Sequence, residues 1–340
     1  VIRNLIALLA FAALLQACES DATSYLPSYS GQQGELIVVI DPQITQSDLN
    51  EPLFQQLNQP FFGLPQSEPM FKVIDIKPKG FTKIFETHRS ILHLRIDTNA
   101  KTEVKVLRNV GAQMQTVVII TAQNLNEFKA LADENLQQVL WHFHNKELDR
   151  ITSRNKAFGS TLSNDRVAAV TGLNIVTQKD MMVAKETKNF IWLRLDREKP
   201  VGGYQHQISQ GLMIYWKSYT DTASFSDSSL IAWKNEVNAR YVDGPQNSHM
   251  TTSFKLYEPA VSYLKFRGET AKELRGLWRM DGYFMGGPFY ALSFYNPENQ
   301  RQYMVEGYVF APQFDKRAFL REIEAIVKSV TPVKNKVGDN

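Results

Sequence analysis

Gln115-Thr-Val-Val-Ile-Ile-Thr121 is a β-branched run, and four residues later an amphipathic stretch begins at Leu125 and continues to about Ser153. The first has the length and composition of a buried strand. In the second, Phe128, Leu131, Leu136, Val139, Leu140, Phe143 and Ile151 recur at three- and four-residue spacing, and Asn124 stands where an N-cap belongs. Upstream, Glu35-Leu-Ile-Val-Val-Ile-Asp41 reads as another buried strand. The spacing predicts a helix over 47–57, a loop carrying Pro60, Pro65 and Pro69, and strands over 71–76 and 91–96. Strand, helix, strands, helix describes an α+β domain over 35–155.

Downstream the same period analysis predicts a short helix over 164–171, then strands near 173–176, 181–185, 190–195 and 213–217, the last one beyond a Gly202-Gly203 turn. A helix over 228–241 presents Leu230, Trp233, Val237 and Tyr241 on one face, and Asp243-Gly244-Pro245 breaks it. Five more strands follow, near 252–257, 261–266, 273–280, 289–295 and 302–310. Phe319, Ile323, Ile326 and Val330 mark a last helix, capped by Asp315 and stopped by Pro332. The expected fold class is therefore α+β with two domains, each a mainly antiparallel sheet with helices packed on it. The second spans 156–332, and a disordered tail is expected over 333–340.

Of 340 residues, 43% are apolar and 21% charged, which excludes fibrous and disordered classes. Lys plus Arg number 38 against 35 acids, so the net charge of +3 gives no field that argues for nucleic acid. A single cysteine, Cys18, rules out an internal disulfide and a cysteine-rich metal site. It follows an uncharged run of 13 residues, LIALLAFAALLQA, with Arg3 before it; that run is too short to span a bilayer as a helix. Residues 1–17 are expected to be a signal peptide. Leu15-Gln-Ala-Cys18 resembles the bacterial lipobox, which implies lipidation of Cys18; an ordinary signal peptide or a buried N-terminal helix is the plainer alternative. Residues 18–34 are polar, with Pro27 and Gly31, and are expected to form a flexible tether. Glu19 and Asp21 partly match an acidic surface-export signal of Bacteroidota lipoproteins. The favoured address is nevertheless the periplasmic face of the outer membrane.

Chemistry is sparse in the body. There is no Gly-x-Ser-x-Gly elbow, phosphate-binding glycine loop, dinucleotide fingerprint or EF-hand. His142 and His144 sit two apart on the long helix, about 200° around its axis, and read as part of a solvated face. His88 and His93 point to opposite sides of an extended chain. No metal or cofactor is expected. The densest cluster runs from Arg275 through Trp278 and Asp281 to Gly286, Gly287 and Pro288. It is a candidate ligand or partner surface, with a guanidinium fork, an aromatic wall and a shaped loop. The plainer reading is a hairpin with Trp278 in the core and Arg275 paired with Glu273. Arg317 and Arg321, with Lys316, Glu322 and Glu324, read as a solvated helix face. The five tryptophans, one per element, read as packing.

Several stretches resemble a Bacteroidota lipoprotein family of unknown function, domain of unknown function 4837. They are Leu64-Pro-Gln-Ser-Glu-Pro-Met-Phe71, Phe85-Glu-Thr-His-Arg-Ser-Ile91, Asn189-Phe-Ile-Trp192, Gly211-Leu-Met-Ile-Tyr215, Arg275-Gly-Leu-Trp278, Phe284-Met-Gly-Gly-Pro-Phe289, Val305-Glu-Gly-Tyr-Val-Phe-Ala-Pro312, Lys316-Arg317 and Leu320-Arg-Glu-Ile-Glu324. The resemblance covers nearly the whole chain after Cys18 and implies lineage and location, without a catalytic residue. The layout of the second half is also similar to PsbP-like domains, a fold-level likeness only. The expectation is a lipid-anchored, non-enzymatic envelope protein, membrane-held through acyl chains. It would bind a protein partner and act as an accessory subunit of an outer-membrane assembly or transport system. The alternative is an envelope hydrolase or ligand-processing enzyme with a site near Asp281, His249 and Arg275.

Overall fold

The computed structural model describes residues 26–333. The signal peptide, Cys18 and the tail beyond residue 333 lie outside the described residues. Five strands, β1 (Glu35–Ile40), β2 (Lys72–Ile76), β3 (Ser90–Ile96), β4 (Glu103–Arg108) and β5 (Thr116–Ala122), form the first sheet in the order β2-β1-β3-β5-β4. The helices α1 (Pro42–Thr45) and α2 (Asn50–Leu57) lie between β1 and β2, and α3 (Leu125–Phe158) follows β5.

This first sheet corrects the expectation of a mainly antiparallel one. β1 pairs with β2 and β3 in parallel, β3 pairs with β5 in parallel, and only β4 runs against its neighbour. The reason is visible in the composition of β1. Five consecutive apolar residues, Leu36 to Ile40, are buried because both faces of the strand are covered, as parallel strands require. Leu36, Val38 and Ile40 face α2 and α3, whereas Ile37 and Val39 meet Phe81 and Phe85 of the β2–β3 connection.

The tether expected over 18–34 is docked from residue 26 onward. Gln113 N–H donates to Pro27 O at 2.9 Å, Ser30 N–H to Thr87 O at 2.9 Å, and Arg89 N–H to Ser30 O at 3.0 Å. Gly31 makes the fit possible: its φ is +89°, and a Cβ there would fall 2.2 Å from His88 Nε2.

The second domain follows the two short elements α4 (Thr161–Thr171) and β6 (Leu173–Asn174). Strands β7 (Met182–Thr187), β8 (Phe190–Val201), β9 (Tyr204–Ser218), β10 (His249–Ser253), β11 (Ala260–Phe266), β12 (Glu269–Asp281), β13 (Gly286–Asn296) and β14 (Arg301–Phe310) make an antiparallel sheet. Its order is β10-β12-β13-β14-β9-β8-β7, with β11 on the other half of β12. α5 (Asp227–Tyr241) packs against β10, and α6 (Arg317–Ser329) packs on β13 and β14 before β15 (Thr331–Pro332) pairs with β6. The α+β class with two domains holds.

The domains share a core. α3 lies on the first sheet, α6 lies on the second, and the two helices pack on each other. Buried side chains from both sheets therefore form one continuous cluster. The boundary expected at residue 155 falls inside α3, which runs unbroken to Phe158. The cap expected from Asp315 is also corrected, because α6 starts without a local side-chain cap. Its first amides are instead held across the seam: Lys316 N–H donates to Glu68 Oε1 at 2.6 Å and Arg317 N–H to Glu68 Oε2 at 2.9 Å. A carboxylate at this end also complements the helix dipole.

Close approach of α6 to the sheet depends on Gly307, where an added Cβ would lie 2.3 Å from Ile323 Cγ2. Gly307→Ala is expected to lower stability by about 1–3 kcal/mol through overpacking. Chemical denaturation monitored by tryptophan fluorescence measures this, and a midpoint equal to wild type would show that α6 has room to spare.

Candidate functional site

β12 and β13 carry the candidate surface, and the structure disperses it. Trp278 is buried, and its indole N–H donates to Val309 O at 3.2 Å. Gly286, Gly287 and Pro288 are strand residues of β13 opposite Arg279, Trp278 and Leu277, so they form no recognition loop. A Cβ on Gly287 would reach Val309 O at 2.0 Å, which explains the glycine by close crossing of strands. Asp281 is exposed and pairs with Arg279 at 2.7 Å; it faces His249 across the β10–β12 ladder. Arg275 lies six residues along the strand from Asp281, about 20 Å in an extended chain, and is buried. The alternative constellation of Asp281, His249 and Arg275 is therefore not assembled.

Arg275 instead belongs to the seam between the domains. It donates through Nη2 to Glu324 Oε1 at 2.6 Å and through Nε to Glu273 Oε1 at 3.2 Å. Tyr290 OH donates to Glu273 Oε2 at 2.7 Å, and the Tyr290 ring lies under the guanidinium. Glu324 also accepts from His144 Nε2 at 3.0 Å and from Lys328 Nζ at 2.8 Å. Arg321 Nε donates to His144 Nδ1 at 3.3 Å and its Nη2 to Met70 O at 2.7 Å. These partners fix His144 as neutral imidazole with the proton on Nε2. Burial pulls its pKa to about 4, against the attraction of Glu324. Burial also opposes the charge of Glu324, but Arg275, His144 and Lys328 outweigh it and hold the carboxyl well below its ordinary range. Arg321 and Glu324, read as part of a solvated helix face, are both fully buried, as is His144. A charged residue with a partner from another element looks the same in sequence as one that faces water.

A second buried pair lies on the opposite face of the large sheet. Lys234 of α5 meets Glu306 of β14 at 3.0 Å, both with no exposed side-chain surface. Tyr215 OH and Asn238 Nδ2 donate to the same carboxylate at 2.9 and 3.0 Å. The face of α5 that enters the core is thus Leu230, Lys234 and Asn238; Trp233, Val237 and Tyr241 pack only partly against it.

A groove with open polar chemistry lies in the first domain. The chain leaves β1 towards β2 on one side, while β3 pairs with β1 on the other, and the two connections cross opposite faces. Open parallel sheets take ligands beyond the carboxyl ends of such strands. There, a hollow of about 540 Å³ is lined by Asp41, Gln43, His93, Arg95, Asp97 and Thr98, with Phe81 as a wall. His93 retains 9% of its exposure and stands edge-on to Phe81 at 5.1 Å. Burial, helped by Arg95, pulls its pKa to about 4, so the ring is neutral at pH 7. Asp41 and Asp97 each accept one local amide, from Gln43 at 2.9 Å and Asn99 at 3.0 Å, which orients both carboxylates. Sequence reading missed this groove. The available signal was the recurrence of Ile-Asp at the ends of two apolar runs, Ile40-Asp41 and Ile96-Asp97. Among the described residues, no group of three or more His, Cys, Asp or Glu side chains is placed to hold a metal, and no helix is long and apolar enough to cross a membrane.

Residues 160–329 match the family model described as Domain of unknown function (DUF4837). Residues 29–156 match a different one, Domain of unknown function (DUF8532). The resembling stretches at 64–71 and 85–91 fall within the second match, so the likeness to the first family is narrower than their order suggested. No curated protein matches. A similarity to Clostridium butyricum Argonaute bound to a guide DNA and a 19-mer target DNA has 7% identity and a TM-score of 0.15, covering 90% of this chain. This chain spans 46% of that one, and the score carries no argument about fold or function.

The seam makes stability depend on pH. With a folded pKa of about 4 against an ordinary 6.5, His144 binds fewer protons folded than unfolded between those values. Its contribution is complete above about pH 6.5 and is lost as pH falls towards 4, a difference of about 3 kcal/mol. His93 adds to the same acid limb. Denaturation midpoints from pH 8 to pH 4 should fall less steeply in His144→Gln, which keeps a donor and an acceptor but cannot titrate. Glu324→Gln should cost about 3–5 kcal/mol at pH 7, because Arg275 is left buried with less countercharge.

Proposed function

For a chain that belongs to the family described as Domain of unknown function (DUF4837), we propose a role as a lipid-anchored, non-enzymatic binding component of the cell envelope. In this reading the acyl chains on Cys18 hold it at the periplasmic face of the outer membrane, where it serves an assembly or transport system as an accessory subunit. The observation that supports this most is how the reactive groups are used. Arg275, Glu273, Glu324, His144 and Arg321 join the two domains, and Lys234 and Glu306 fix α5 to the sheet. The strand-end groove is different, because its polar groups face a hollow on a rigid body. Asp41, Asp97 and neutral His93 suit a small polar molecule, or a partner's loop, that offers hydrogen-bond donors. One acyl chain alone binds a membrane only marginally, so the anchoring requires the two or three chains of a lipidated cysteine.

Cys18→Ser is expected to move the protein from the membrane to the soluble fraction of the envelope. Thr98→Trp fills the groove from an exposed turn position without touching the core. Native isolation from detergent-solubilised membranes should recover a ligand or partner with wild type that Thr98→Trp fails to retain. If both preparations carry the same company, or none, the groove is not the binding site.

A further inference from the structure

The docked segment before β1 covers a second hollow, of about 290 Å³, where Tyr29, Gly31, Gln32 and Gln33 face Arg89, Arg150 and Arg154. Arg89 and Arg150 retain 6% and 2% of their exposure. Both guanidiniums lie over the Tyr29 ring, 4.6 and 5.6 Å from its centroid. Their hydrogen bonding differs. Arg150 donates through Nε to Met114 O at 3.0 Å, through Nη1 to Ser90 Oγ at 3.2 Å and Glu147 Oε1 at 2.5 Å, and through Nη2 to Arg89 O. Arg89 has only a charge partner. Its Nε stands 3.1 Å from Glu147 Oε1 but is not aligned for a hydrogen bond, and it is a buried donor without a hydrogen-bond partner among the described residues.

The charge is unbalanced in the same direction. Glu147 serves both Arg89 and Arg150, and Glu322, which meets Arg154 at 3.3 Å, is also shared with Arg197 at 3.2 Å. Arg154 is half-exposed at the rim, where its pair with Glu322 is open to solvent and a ligand competes for it. A buried guanidinium with unused donors costs free energy unless something accepts them. Its planar fork matches two oxygens of a tetrahedral oxyanion, and stacking on Tyr29 holds the plane of that fork in place. We propose that this hollow binds a phosphate group, with Arg89 as the primary ligand, Arg154 closing from the rim and Tyr29 as a positioning residue. The phosphate belongs either to a free small molecule or to a phospholipid headgroup. The second source rests on the lipid-anchor reading: Tyr29 lies eleven residues beyond Cys18, at most about 40 Å of chain.

The test is titration of the full-length chain in detergent with inorganic phosphate at constant ionic strength, followed by calorimetry, with chloride as the control. Saturable phosphate binding is expected, about tenfold weaker in Arg89→Gln and intermediate in Arg89→Lys, which keeps the charge but not the fork. Should Arg89→Gln fail to fold, the exposed variant Arg154→Gln decides, with an affinity about threefold weaker. No saturable binding by wild type, or affinity unchanged in the folded variants, overturns the proposal. A second arm uses the full-length Cys18→Ser chain, so that no acyl anchor contributes, with phosphatidylcholine vesicles with or without phosphatidic acid. Arg89-dependent sedimentation with phosphatidic acid identifies the headgroup. Phosphate binding without sedimentation identifies a free ligand. Loss of membrane anchoring leaves the phosphate titration untouched, so the two readings fail separately.

Discussion

The structure is organised around one fully buried carboxylate. Glu324, on the last long helix, accepts from Arg275 of the large sheet, from His144 of the long helix of the first domain, and from Lys328 of its own helix. Three elements separated in sequence by up to 180 residues are thereby referred to one point. In a medium of low dielectric constant each of these bonds is strong, and each group would be costly without its partners. The charges therefore specify the arrangement of the domains more than they add to its net stability. An apolar interface of the same area would tolerate a small rotation of α6 on α3, whereas a carboxylate with fixed donors on three sides does not.

This use of charge explains why the cluster around Arg275 looked functional. A guanidinium beside glycines, an aromatic and an aspartate has the composition of a recognition site. In the fold, alternation along β12 sends Trp278 into the core under one face and Arg275 towards α6 on the other. The groove of the first domain and the arginine hollow under the N-terminal segment are different in kind. In both, polar groups face open space, and neither was marked by a dense local motif.

Legibility in the sequence followed the range of the interaction. The long helix carried its period from Phe128 to Ile151 within its own residues, and the apolar runs of β1, β3 and β5 were plain. Parallel pairing was not, because a strand's partner is set by the path of the connections and not by the strand itself. β4 was missed because only intermediate and exposed positions line this edge strand. For Arg275, the partner two residues away was readable and the one on α6 was not. Arg321 and Glu324 had the spacing of a solvated helix face, and only their depth in the fold separates the two cases. The arginine hollow depends on Gly31, whose positive φ brings the preceding segment onto His88; a polar stretch with one glycine and one proline gave no sign of docking.

The capping of α6 by Glu68 has a consequence for the order in which the chain can be completed. The carboxylate and the amides it receives are separated by 248 residues, so the first turn of the last helix finds its acceptor only when the loop of the first domain is already in position. In chain order the acceptor comes first and the amides that it receives come 248 residues later. Docking of α6 on both domains therefore carries the loop-closure entropy of a contact of long sequence separation. A fragment restricted to residues 160–329 would contain α6 without its cap or the helix beneath it. The stretch that family similarity delimits is thus smaller than the unit that folding requires.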